Sequence, residues 1–212
     1  MNTILIAIIV ANALFSYKGF NDHTFFRKYE FHMGSIRSGE QIRLLSSAFL
    51  HADIGHLAFN MITLYFFAPV VIGYLGTFSF VIIYFGSLIF GSLLTILFHK
   101  NDYNYRAVGA SGAVTGILYS AILLEPNMML GIFFIIPIPA YIFGILYLLY
   151  SIYGMRAKND NIGHTAHFGG AIGGFLITLI TNPYLLIENT LMVVLLTIPI
   201  VILFAMAKMG KI

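Results

Sequence analysis

The chain has 212 residues, 59% of them hydrophobic and 9% charged, with eleven Lys and Arg against eight Asp and Glu for a formal charge of +3. A soluble domain is about 45–50% apolar and about 25% charged. These side chains cannot clothe a water-facing sphere, which excludes a soluble domain, a disordered chain and a nucleic-acid binder, and an integral membrane protein is expected. There is no Cys, so no disulfide framework, thiolate nucleophile or Cys metal site, and no Trp, which leaves an interfacial aromatic belt to 13 Tyr and 20 Phe.

Seven apolar stretches follow in chain order, over about residues 2–17, 55–74, 77–98, 107–124, 128–153, 164–180 and 189–206. Most approach the ~20 residues that a helix needs to cross ~30 Å of hydrocarbon. In the first, Ala11-Asn12-Ala13 resembles a signal-peptidase site, but no positive side chain precedes the apolar core, and the stretch is read as a membrane helix. Residues 18–47 hold the main polar segment, where Lys18, Arg27, Lys28, Arg37 and Arg43 interleave with Phe20, Phe25, Phe26, Tyr29 and Phe31. That mixture suits a segment lying at the membrane interface, or a solvated loop with a few buried rings. Pro137 and Pro139 in the fifth stretch predict a helix that is kinked or starts late.

Polar residues inside a membrane are costly and invite a functional question. Here they are Ser, Thr, Asn and His, in three clusters. In the first, His56 and Asn60 are four apart, one turn apart on one helix face, so both can donate to a common oxygen. His51 is about 140° away around an ideal helix and belongs to the turn before it. In the second, Gly109, Ala110, Ser111 and Gly112 open the fourth stretch. Free N–H groups at a helix start can stabilise an oxyanion, and small neighbours allow another chain to approach. In the third, His164 and His167 open the sixth stretch. Gly170 and Gly174 give it a small-xxx-small face, matched by Gly112 and Gly116 in the fourth. Taken singly, each cluster also has a plain structural reading: an interhelical hydrogen bond, a helix cap, a tight packing face.

Topology ties them together. With seven crossings, the second, fourth and sixth stretches begin on the same side, so His56, Ser111 and His167 share one depth near one membrane face. A Ser beside a His general base, with donors opposite, is the constellation for acyl transfer. No acidic third member is evident, so a Ser–His dyad is expected rather than a triad.

These motifs resemble those of the rhomboid family of intramembrane serine proteases. The His-x4-His-x3-Asn spacing of His51, His56 and Asn60, the run Gly109-Ala110-Ser111-Gly112, and Ala166-His167-x2-Gly170-x3-Gly174 occur in the family's order, over residues from about 41 to 182. Gln41-Ile42-Arg43 resembles the family's Trp-Arg pair, with Ile42 where the Trp stands. The resemblance implies an all-α polytopic fold with a six-helix core over about 1–182 and a seventh transmembrane helix over about 187–208, in one domain of residues 1–212. It implies Ser111 as nucleophile and His167 as general base and acid. His56 and Asn60, with the backbone N–H groups of Ser111 and Gly112, would form the oxyanion hole. His51, Gly109, Gly170 and Gly174 would support the site. The position four after the nucleophile, often an aromatic that packs on the catalytic His, is Thr115 here, which leaves the ring packing of His167 open.

The implied substrates are transmembrane segments of other membrane proteins, with lipid as the surrounding partner, no nucleic acid, and no cofactor or metal. A His metal site would lack the His-Glu-x-x-His spacing and a carboxylate ligand. Two other readings carry different expectations. An inactive relative that binds membrane proteins would be expected to lack the Ser or the His; a small-solute transporter would spread its polar residues through the bilayer's depth. By the span assignment all eleven basic residues lie on the dyad side, which by the positive-inside rule turns the site to the cytoplasm. The family's usual bacterial arrangement turns it outward, and the two arguments conflict. A short chain without an Arg-rich leader points to a bacterial plasma membrane.

Overall fold

The computed structural model describes residues 2–132, 136–157 and 162–212. Helix α1 (Thr3–Asn21) begins where the Asn2 side chain accepts from the N–H groups of Ile4 and Leu5, and the same amide donates to Thr77 Oγ1 at 2.8 Å. Its polar residues Asn12 and Ser16 face inward and are buried.

The polar segment after α1 is structured. It contains α2 (His23–Tyr29), β1 (Phe31–His32), α3 (Met33–Arg37), α4 (Arg43–Ser46) and a 3-10 turn, Ser47–Phe49. Of the five interleaved aromatics only Phe31 is buried, and it packs with Met33 and Ile36 in a small core. Arg43 is the internal tie: its guanidinium donates to the carbonyls of Arg27 (2.8 Å) and Glu30 (3.0 Å) and to the Glu40 carboxylate (2.7 Å). The buried Glu30 carboxylate accepts from Arg27 and Arg106. Strand β1 pairs antiparallel with β2 (Arg106–Ala107), Phe31 opposite Ala107 and His32 opposite Arg106.

The second and third apolar stretches form the two arms of α5 (Ile54–Phe98), broken at Gly76, whose φ of +80° and ψ of 167° are not helical. Only glycine takes that turn cheaply. The fourth stretch becomes helical at Ser111, not at 107: α6 is Ser111–Leu124, because Arg106 and Ala107 are drawn into the ladder with β1. The fifth starts late, as its prolines predict. A hairpin of β3 (Met129–Ile132) and β4 (Ile136–Pro139) occupies its first part, and α7 (Ala140–Ala157) begins directly after Pro139. Helix α8 (His164–Thr181), the short α9 (Leu185–Glu188) and α10 (Thr190–Lys208) complete the chain.

By length and composition, α1, α5, α7 and α10 can cross a membrane. Helix α6 has 14 residues, about 21 Å at 1.5 Å per residue and short of a ~30 Å hydrocarbon layer. It needs no lipid-facing length, because thirteen of its fourteen residues are buried in protein. The α5 arms and α8 enclose it. A β-carbon added at Gly170 would overlap the Gly112 carbonyl, and one at Gly174 the Gly116 carbonyl, so the two backbones touch.

Candidate active site

The site assembles at the start of α6. Gly109, with φ +125°, turns the chain out of β2, and its N–H donates to Ser47 O at 3.0 Å. A β-carbon there would stand 2.8 Å from His56 Nε2 and 3.6 Å from Ser111 Oγ. Gly109 therefore supplies a left-handed turn and the space in which the His56 ring approaches the serine. No side chain caps α6 among the described residues, so the N–H groups of its first turn are available to a ligand in front of Ser111.

His51 braces that turn from behind. It is fully buried; its Nε2 accepts from the Ala110 N–H at 3.4 Å, and its Nδ1 lies 2.8 Å from Ser16 Oγ, which donates to Phe49 O at 3.0 Å. Since Nε2 accepts and the Ser16 proton is used at Phe49, the hydrogen of His51 is on Nδ1. Burial, then the neighbouring His56, pushes the His51 imidazole down to about 3, so it stays neutral. The His51 and His56 rings meet edge to face at 4.9 Å.

His56 is half-buried, with its backbone N–H capped by Asp53 Oδ1 at 2.8 Å. Its Nδ1 accepts from the Ala52 N–H at 3.5 Å, which puts the ring hydrogen on Nε2, the atom beside Gly109 and Ser111. Asn60 lies one turn on, 2% exposed, and gives one amide hydrogen to His56 O at 2.9 Å. An amide has two, so one remains for a ligand.

The α6–α8 contact sets the register of the remaining pair. Gly112, the residue after Ser111, packs on Ala166, the residue before His167, with a β-carbon at Gly112 reaching the Ala166 carbonyl at 3.1 Å. Ser111 and His167 thus flank one contact between two touching helices, and both side chains are half-buried. A cavity of about 40 Å³ lined by Ser47, Ser92, Thr95, Gly109, Ser111 and Ala166 adjoins the serine. A water needs roughly 10–15 Å³ and polar partners, so this space, mainly apolar but with Ser47, Ser92, Thr95 and Ser111 in its lining, is large enough for more than one.

Tyr147 of α7 has no counterpart among the residues singled out from the sequence. Its hydroxyl is 2.8 Å from His167 Nδ1 and its ring stacks on the His167 ring, centroids 6.0 Å apart at 23°. The ring partner that Thr115 does not provide comes from this neighbouring helix. Thr115 instead donates to Ser111 O at 2.7 Å. His164 is buried, packs edge to face on Tyr150 at 5.1 Å, and its ring centroid lies 6.4 Å from that of His167. Among the described residues no group of three or more His, Cys, Asp or Glu is placed to hold a metal ion.

Comparison with known proteins agrees with the motifs. A model of the Rhomboid domain matches residues 38–184. RHOMBOID-like protein 12, mitochondrial, of Arabidopsis thaliana is 30% identical over 185 residues, 79% of this chain and 55% of that protein. YdcA of Bacillus subtilis is 34% identical over 147 residues, 68% of this chain and 69% of YdcA. The rhomboid protease GluP of the same organism is 34% identical over 140 residues, 66% of this chain and 26% of GluP. The similarity thus spans about half the length of the Arabidopsis relative and about a quarter of GluP.

Proposed function

The chain belongs to the rhomboid family, and from that premise we propose that it is a serine endopeptidase that cuts peptide bonds in or near the transmembrane helices of other membrane proteins. It is a multi-pass integral membrane protein. The observation that supports the reading is the contact of Gly112 with Ala166, the chain neighbours of Ser111 and His167, together with the approach of His56 Nε2 to Gly109 beside the serine.

In this reading Ser111 Oγ attacks the scissile carbonyl while its proton passes to His167 Nε2. The carbonyl oxygen becomes an oxyanion in front of α6, where His56 Nε2–H, the second Asn60 amide hydrogen and the N–H groups of Ser111 and Gly112 are the donors. Collapse of the tetrahedral species expels the amine, which takes the proton back from His167. Water from the adjoining cavity then hydrolyses the acyl-enzyme, with His167 again as base. A substrate helix hides its carbonyls in its own hydrogen bonds, so segments that unwind easily are the preferred targets. His51, Gly109, Gly170 and Gly174 support this geometry without touching the substrate. A bacterial plasma membrane is the proposed location, supported by two of the relatives named above being Bacillus subtilis proteins.

The test is labelling of the purified protein with a fluorophosphonate, which reacts only with an activated serine. Wild type should label, and Ser111→Ala and His167→Ala should not. A folded wild type that stays unlabelled would refute the reading and favour an inactive membrane-protein binder.

A further inference from the structure

His167 has a hydrogen-bond partner on Nδ1, and that partner is a phenol. The hydroxyl of Tyr147 stands 2.8 Å from Nδ1, and its ring is stacked on the imidazole. The Thr115 hydroxyl lies close enough to interact with the Tyr147 hydroxyl. Thr115 in turn donates to the carbonyl of Ser111 at 2.7 Å. Three residues from three helices thus form a path from the backbone of the serine to the far side of the histidine.

The direction of this path follows from proton counting. Each hydroxyl has one proton to give and lone pairs to receive. The Thr115 proton is committed to Ser111 O, so its oxygen can only accept, and a hydrogen bond between the two hydroxyls would have Tyr147 as the donor. With the phenolic proton turned to Thr115, the Tyr147 oxygen accepts from His167 Nδ1–H. Every hydroxyl then both donates and accepts. In that arrangement the ring hydrogen is on Nδ1, and Nε2 carries the lone pair that a general base needs. The opposite orientation, with Tyr147 donating to Nδ1, would put the ring hydrogen on Nε2 and disable it as a base.

We propose that Tyr147 and Thr115 are positioning residues that hold His167 in its Nδ1–H tautomer and fix its ring, the orienting task that a carboxylate performs in a Ser-His-Asp triad. The inference rests on Ser111 and His167 being the reacting pair. The relay is neutral, so it orients the ring without adding a negative charge to stabilise the imidazolium. Tyr147 keeps its proton throughout; the only proton that moves in the attack goes from Ser111 Oγ to His167 Nε2. At metal sites, losing a partner that orients a histidine costs about 10–100-fold; a loss of that order is expected here, well below the ~10⁴ of a triad aspartate.

The experiment is fluorophosphonate labelling of the full chain in detergent, with the maximal labelling rate separated from probe affinity. Tyr147→Phe keeps the stacked ring and removes the hydroxyl. It should lower the maximal rate about 10–100-fold with probe affinity unchanged. Thr115→Val should slow labelling less, should add little in the Tyr147→Phe background, and should be rescued by Thr115→Ser. The ring nitrogens of ¹⁵N-labelled histidine should report loss of the Nδ1–H tautomer at His167 in Tyr147→Phe. If Tyr147→Phe does not fold, the Thr115→Val and Thr115→Ser pair carries the same test. Wild-type rates in Tyr147→Phe, or independent multiplicative losses in the double variant, would overturn the relay and leave the dyad standing. Undiminished labelling of Ser111→Ala would overturn the dyad itself.

Discussion

Helices α6 and α8 meet differently from α7 and α10. The first pair meets backbone to backbone: Gly112 faces Gly170, Gly116 faces Gly174, and thirteen of the fourteen α6 residues are buried. The second pair meets through side chains at the rim. Leu196 of α10 reaches Gly144 of α7, and only Leu196, Pro199 and Leu203 of the nineteen α10 residues are buried. Both pairs are apolar, so hydrophobicity alone does not separate them. What separates them is the absence of side chains at the contact, which turns a sliding surface into a fixed register. The polar groups of the site are found where the register is fixed.

That contrast can be broken from the inside outward. The largest effect is expected for Gly170→Val, whose β-carbon would overlap the Gly112 carbonyl. Overpacking usually costs about 1–3 kcal/mol when side chains can shift; here two backbones must part, so loss of folded protein on size-exclusion chromatography is expected. A normally folded, fluorophosphonate-reactive Gly170→Val would mean the helices are not in register through their glycines.

His51 comes next. Replacing it with Ala leaves the Ser16 and Ala110 groups without their buried partner, at about 1–3 kcal/mol. Its titration has a definite sign. Its folded value of about 3 lies below the ordinary 6.5, so it contributes stability that is present above about pH 6.5 and lost as pH falls toward 3. The slope for one proton is at most ~1.4 kcal/mol per pH unit. Burial, with Arg106 and Arg43 nearby, lowers His32 as well, so the wild-type curve minus the His51→Ala curve removes the His32 contribution and reads His51 together with its effect on the touching His56 ring. Thermal midpoints from pH 7.5 to 4.5 should fall less steeply in the variant; parallel curves would refute the neutral, buried assignment.

The smallest effect is expected on the outer pair. Leu191 in α10 is 64% exposed in the isolated chain, so Leu191→Ala should change thermal stability by less than about 0.5 kcal/mol and leave fluorophosphonate labelling unchanged. A large loss would show that the outer face of α10 is a packed surface and sharpen the contrast in the opposite direction.

The parts of the site that were legible in the sequence are those encoded by local spacing. His56 and Asn60 share a face because they are four apart, and the glycines of α6 and α8 match because both repeat at four. The misread elements depend on partners far along the chain. Ala107 and Val108 read as the start of an apolar helix, but β1 claims Arg106 and Ala107 across some 75 residues. The apolar residues of 128–139 satisfy strand and helix equally, and only the two prolines marked the change. By sequence Glu30 is one acid in a basic loop, yet it is buried against Arg106. Tyr147 was invisible for the same reason: it is one of 13 tyrosines in the chain, and its meaning depends on which helix lies beside α8. The one local hint was Thr115, which is too small to do what an aromatic would do there.

The short ladder between β1 and β2 has a consequence for turnover. It joins the loop tied by Arg43 and Glu30 to the strand that leads through Gly109 to Ser111, and His51 clamps the same turn to α1. In the proposed reaction the serine is therefore anchored on two sides before a substrate arrives. Its translational and rotational freedom is removed once, when the chain folds, instead of at each encounter, so the entropy of arranging the reacting atoms is confined to the incoming substrate.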